Sequence, residues 1–220
     1  MKTLISILLF ASLNLVGQTD SLVMLTKNFK FQDGVYLSFV DFQNNNASLA
    51  WDSVYAKLHT NPQKMITLVE SVKYKDKEEN INDKIWGFSL GGIPYVNLQR
   101  KNKAGLDVFV GLKVRGNICY FSIEEVEEKV EIIKAYNPRT GIPFREGEVV
   151  TKREVENSFM LSFHTGEIAA LTVDNFLNWI RTDPKLSKTV KAIDQNIDDK
   201  LFKCLLIYDD RNPVFVPTRE

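Results

Sequence analysis

The chain has 220 residues, with 28 Lys and Arg against 28 Asp and Glu, and 44% of its residues are hydrophobic. A net charge of zero excludes a polybasic nucleic-acid binder and an acidic solvating tail, because neither would have a net field to act through. No run reaches the ~18 consecutive apolar residues of a membrane-spanning helix, so no transmembrane helix is expected.

The first residues read as an address. Met1-Lys2 carries a positive charge, Leu4 to Phe10 is almost unbroken apolar sequence, and the small residues Ala11, Ser12 and Gly17 precede polar Gln18-Thr19-Asp20. That order predicts a secretory signal peptide over residues 1–17, with cleavage after Gly17; the alternative is a buried N-terminal helix. No Cys follows the apolar run, so the lipid-attachment residue of a bacterial lipoprotein is missing. Residues 18–220 are expected to form a single domain.

Asp33-Gly34 is a turn signal. Ser38 and Asp41 have capping-box spacing and predict a short helix that Asn44-Asn45-Asn46 stops. Met65 to Tyr74 is rich in β-branched residues and reads as a strand. Lys75 to Asp83 reads as a loop with one core residue, Ile81. Trp86 and Phe88, then Gly91-Gly92, then Ile93, Tyr95 and Val96 make a hairpin pattern. Val108, Val110, Leu112 and Val114 alternate along one face of a further strand, and Arg115-Gly116-Asn117 turns it into Ile118 to Phe121.

Ser122 to Lys134 carries two patterns. Ile123, Val126, Val130 and Ile133 have helical spacing, with Ser122 and Glu125 as a second capping box; Val130, Ile132 and Tyr136 fit a strand. Asn137-Pro138 and Thr140-Gly141 make an irregular connection. Val149 to Val155 and Ser158 to Phe163 read as two strands, and Thr165-Gly166 turns into Ile168 to Leu171. Thr172 precedes a short amphipathic helix around Phe176. Asp183-Pro184 starts a second helix, as N-cap and first helical residue. Val190, Ile193, Ile197, Leu201, Cys204, Leu205 and Tyr208 fall on one stripe, which predicts one long helix ended by Asn212-Pro213. The fold class is α+β: a mostly antiparallel β-sheet packed by C-terminal helices, with Leu201 and Leu205 covering its apolar face.

Gly34 to Phe39, Phe42, Ala47-Ser48, Ile85 to Phe88, Tyr95 to Asn97, Cys119 to Phe121, Thr165-Gly166 and Arg211 to Pro213 occur in an order that resembles a family of uncharacterised exported envelope proteins of Bacteroidota-type bacteria. The resemblance implies export and a single fold over nearly the whole mature chain, and it transfers no catalytic residue. Asp20-Ser21-Leu22 and Asp52-Ser53-Val54 are similar to the three-residue O-glycosylation sites of exported proteins in that group, which makes Ser21 and Ser53 candidate acceptors.

Chemistry-bearing motifs are sparse. His59 and His164 lack the spacing of a zinc site, and neither H-E-x-x-H nor C-x-x-C occurs. Asp194 to Asp199 begins like a calcium loop but has Asp199 where Gly is needed and Leu205 where Glu is needed, so a solvated helix face is the expectation. Glu124, Glu125, Glu127, Glu128 and Glu131 are interleaved with Lys129 and Lys134 and read as a solvated charged face. Trp86 and Trp179 lie in apolar patterns and are expected in the core, whereas Trp51 beside Asp52-Ser53 is expected to be exposed. Cys119 and Cys204 are the only cysteines; an exported chain with two permits a disulfide, while their apolar surroundings suit buried free thiols.

No catalytic, metal or cofactor-binding residue is assigned, and no cofactor is expected. The reading is an exported binding or accessory protein of the cell envelope, periplasmic rather than at the surface, whose partner is an envelope protein or outer-membrane complex and not a nucleic acid. The alternatives are a carbohydrate-binding module using Trp51, or an enzyme with a carboxylate or His164 site.

Overall fold

The computed structural model describes residues 21–77 and 79–218, and the signal peptide expected over residues 1–17 lies outside them. The elements in order are β1 (Ser21–Met24), β2 (Gly34–Tyr36), α1 (Phe39–Gln43), β3 (Val54–Asn61), β4 (Ile66–Tyr74), β5 (Gly87–Leu90), β6 (Ile93–Lys101), β7 (Asp107–Gly111), β8 (Ile118–Tyr136), β9 (Pro143–Ser162), β10 (Ile168–Ala170), α2 (Val173–Trp179), α3 (Pro184–Lys191), α4 (Ile197–Arg211) and β11 (Phe215–Thr218). This is a single α+β domain with a predominantly antiparallel sheet core and C-terminal helices.

Local signals act where the sequence placed them. Ser38 Oγ accepts the Asp41 N–H at 3.2 Å, and Asp41 Oδ2 accepts the Ser38 N–H at 3.0 Å, so the capping box starts α1. Gly91 and Gly92 both have positive φ, 61° and 78°, as a two-residue hairpin turn requires. Their N–H groups donate to Asp33 at 3.1 and 2.8 Å. Asp183 caps α3 through the Leu186 N–H at 2.9 Å, with Pro184 following.

Six strands form one sheet in the order β2-β5-β6-β7-β4-β3, three form a second in the order β10-β9-β8, and β1 pairs with β11. The three-stranded sheet is the middle layer. Cys119, Phe121, Ile123, Leu161 and Phe163 pack toward Val96, Val108 and Val110 of the six-stranded sheet and Leu112 just beyond β7. On the opposite face, Ile118 and Met160 pack against Phe176, Ile180, Leu186, Val190, Leu201 and Leu205.

The C-terminal helices cover an apolar sheet face, as expected; it belongs to the three-stranded sheet, because β8 and β9 already occupy the apolar face of the six-stranded one. β7 is buried on both faces: Phe109 packs with Val69, Phe88 and Tyr95 behind the alternating valines. Of the two patterns in Ser122 to Lys134 the strand holds, and the two strands expected from residue 149 onward are one, β9. The long C-terminal helix is two helices, since Asn196 takes the left-handed conformation (φ 50°) and breaks the stripe between α3 and α4. Ile193 therefore lies between helices and Ile197 is exposed, while Leu201 and Leu205 are fully buried, as expected.

Candidate functional site

β8 and β9 pair continuously from Ile118 with Ser162 to Tyr136 with Pro143. Only the first few pairs lie inside the layered body. From Val126 to Glu154 every described side chain is exposed, so the hairpin leaves the body as an arm. At about 3.4 Å per residue, the stretch from Val126 to Tyr136 alone extends roughly 35 Å. Its tip turns through Asn137, whose C=O accepts the Gly141 N–H at 2.8 Å and whose N–H donates to the Ile142 C=O at 2.9 Å. Gly141 takes a positive φ there, 67°.

The pleat gives the arm two unlike faces. One carries Val126, Val130, Ile132 and the cross-strand Val150, which are 51–63% exposed. Two cross-strand ion pairs share that face: Glu128 with Lys152 at 3.1 Å and Lys134 with Glu146 at 2.8 Å. The other face carries Glu127, Arg153, Lys129, Thr151 and Glu131 near the root, with the exposed Val149 and Ile133 toward the tip. β9 pairs with β10 only at Phe159–Leu161, so both edges of the arm lack a strand partner among the described residues.

Polar clamps hold the root. Lys113, after β7, donates to Ser122 and pairs with Glu156 at 3.2 Å; Ser122 also donates to Glu156. Ser122 and Lys113 hold the Glu156 carboxyl below its ordinary range. Arg100 on β6 bonds Glu125, which also accepts the Asn157 amide at 2.7 Å. Lys64, in the β3–β4 turn, reaches Glu124 at 2.6 Å. The arm is thus tied to the six-stranded sheet at three points. Sequence reading missed this role, because Ser122 and Glu125 fit a helix cap equally well.

The other singled-out residues are dispersed. Trp51 is a correction: it is half-buried, its indole N–H donates to the Ser89 C=O at 2.9 Å, and its ring meets Phe88 edge-on. Ser21 and Ser53 are exposed, but their hydroxyls bond Thr218 Oγ1 and the Ala50 C=O, both at 2.7 Å. Cys119 and Cys204 are free buried thiols in different core clusters, and no disulfide joins them. Burial pushes the Cys119 thiol up to about 12. His59 lies 3.1 Å from Glu70 on an exposed strand face. His164 sits at an exposed turn with Asn117 at 3.1 Å. Asp194 is outside α4 and faces Lys200 at 3.5 Å. Among the described residues, no three His, Cys, Asp or Glu groups converge as a metal site.

One carboxyl was not anticipated. Asp209 on α4 lines a cavity of about 380 Å³ between α4, the β1–β11 pair and the turn before β8. Burial pushes it up to about 7, against the pull of the Ile118 and Asn117 N–H groups.

No protein-family model matches the chain, and neither a curated protein nor a solved structure matches it.

Proposed function

We propose that this protein is an exported accessory protein of the cell envelope that docks a partner protein through the apolar face of the β8–β9 arm. The observation that carries the reading is the exposure of Val126, Val130, Ile132 and Val150 on one side of a ribbon that has water on both faces. A two-stranded ribbon gains little stability by itself. Aligned apolar side chains on such a ribbon are costly in solution and suit an interface, where they leave water. The unpaired arm edges offer backbone hydrogen bonds to a partner's extended segment. The charged residues that frame the face keep the free arm from pairing indiscriminately. Export rests on the leader pattern of residues 1–17 and on the resemblance to exported envelope proteins.

Photo-crosslinking in native envelopes tests the docking. A crosslinker at position 130 should trap a partner of defined mass, and one at position 129, on the opposite face, should not. Equal adducts from both positions, or none from position 130, would overturn the reading. Val126, Val130, Ile132 and Val150 changed together to Thr should abolish the adduct formed by a crosslinker at position 128 and leave the melting temperature within a few degrees. Intact mass of the native protein should begin at Gln18 if the leader is removed as proposed.

A further inference from the structure

A second surface lies between the two larger sheets. Two cavities, of about 400 and 430 Å³, share Ile85, Trp86, Asn97, Gln99 and Arg100 and so form one cleft. Each lobe is within the size range of small-molecule sites, roughly 300–1,000 Å³. One lobe is walled by Ile123, Phe159 and Ile168, and the other by Asp83, Lys84, Lys101 and Asp107. Trp86 stands where the lobes meet. Phe42 and Phe39 back its ring at centroid distances of 4.9 and 5.4 Å.

The rim is built. β6 and β7 lose register between Asn97 and Lys101. Asn97 Nδ2 donates to the Ile85 C=O at 2.9 Å, and its Oδ1 accepts the Gln99 N–H at 2.8 Å. This holds Gln99, a non-glycine residue, at a positive φ of 54°. Such a conformation persists only where its surroundings impose it, and it gathers at ligand sites. Among the described residues, no protein group pairs with the Trp86 indole N–H or with the Gln99 side-chain amide.

The basic groups lining the cleft are already matched. Arg100 pairs with Glu125, Lys101 with Asp107 at 3.7 Å, and Lys84 with Glu79 at 2.7 Å. An anionic ligand would find no free counter-charge. The free groups are an indole donor, an amide that both donates and accepts, and the Asp83 carboxylate, an acceptor. A hydroxyl donates and accepts too, and a pyranose ring has an apolar C–H face that suits an aromatic surface.

We propose that this cleft binds a neutral saccharide, with its apolar face against Trp86 and its hydroxyls on Gln99, Asp83 and the indole N–H. The assignment goes beyond partner docking and shares no side chain with the arm's apolar face.

Titration calorimetry and saturation-transfer NMR on the purified chain decide it. The probes are cellotetraose, maltotetraose, mannotetraose and N-acetylchitotetraose, with octanoate as the apolar anionic competitor. At least one saccharide should saturate, with an affinity unchanged within about twofold between low and high salt. Gln99→Ala, at an exposed position, should weaken it at least about fivefold, as should Trp86→Phe, which removes the N–H and narrows the ring. Absence of saturation by every saccharide at millimolar concentration would overturn the proposal. So would preferential binding of octanoate, or saccharide binding unchanged in Gln99→Ala. Should Trp86→Phe fail to fold, Gln99→Ala decides alone. Unchanged binding by the arm variants with intact crosslinking would separate this site from the docking face.

Discussion

Asp209 Oδ1 accepts the Ile118 backbone N–H at 2.8 Å, which joins α4 to the foot of the arm strand β8. The other carboxylate oxygen, Oδ2, is buried without a partner. Gly116 leaves room for it, since a Cβ there would lie 2.3 Å from that oxygen. The carboxyl thus staples two elements through one oxygen, while its burial opposes ionisation of the whole group.

A pH dependence follows. The folded state raises the Asp209 carboxyl from 3.8 to about 7, so it holds its proton more tightly folded than unfolded. Its contribution to stability is full below about pH 4 and is lost as pH rises through about 7. Asp209→Asn keeps an acceptor for Ile118 and removes the charge. It should stabilise the protein by about 2–4 kcal/mol at pH 8, and the gain should vanish toward pH 4. Thermal melts of both proteins across that range check this, and a pH-independent difference would contradict it.

The helix layer gives a second test. Leu201 is fully buried against the three-stranded sheet, and Leu201→Ala should cost about 2–5 kcal/mol. In a domain of this size that is a fall of roughly 4–20 °C, at about 2–4 °C per kcal/mol. Lys200→Ala, which gives up an exposed contact with Asp194, should cost less than about 0.5 kcal/mol. Equal melting temperatures for the two variants would show α4 to be peripheral.

Thiol chemistry separates the cysteines from a bridge. With its thiol pushed up to about 12 and its side chain inaccessible, Cys119 should resist alkylation at pH 8 in the native protein. Unfolding without reductant should make both Cys119 and Cys204 reactive. Recovery of no labelled thiols would instead reveal a disulfide.

Hydrogen exchange should divide β8 within its own length. Paired amides between Val126 and Tyr136 have water on both faces and few buried contacts, so they should exchange by local opening. Paired amides from Cys119 to Ile123, inside the layered core, should exchange orders of magnitude more slowly. Uniform protection along β8 would mean that the arm is covered in solution.

What the sequence determined by itself was local. Ser38 with Asp41, Gly91-Gly92, Asp183-Pro184 and the alternation of Val108, Val110 and Leu112 each act over a few residues, so their outcome did not wait on the rest of the chain. Leu201 and Leu205 were legible as core for the same reason: helical spacing survives within α4. Ser122 to Lys134 was not legible, because Val126, Val130 and Ile133 satisfy a helical period while Val130 and Ile132 satisfy a strand. Nineteen residues of pairing with β9 decided between them. Trp51 became half-buried through Ser89, 38 residues away in sequence. The Trp86 cleft draws on segments near residues 85, 99, 123, 159 and 168, and no local pattern encodes such a meeting. Hydrogen bonds and buried contacts between distant residues form only once the chain has closed on itself, so tertiary structure alone decided where the arm projects and where the cleft opens.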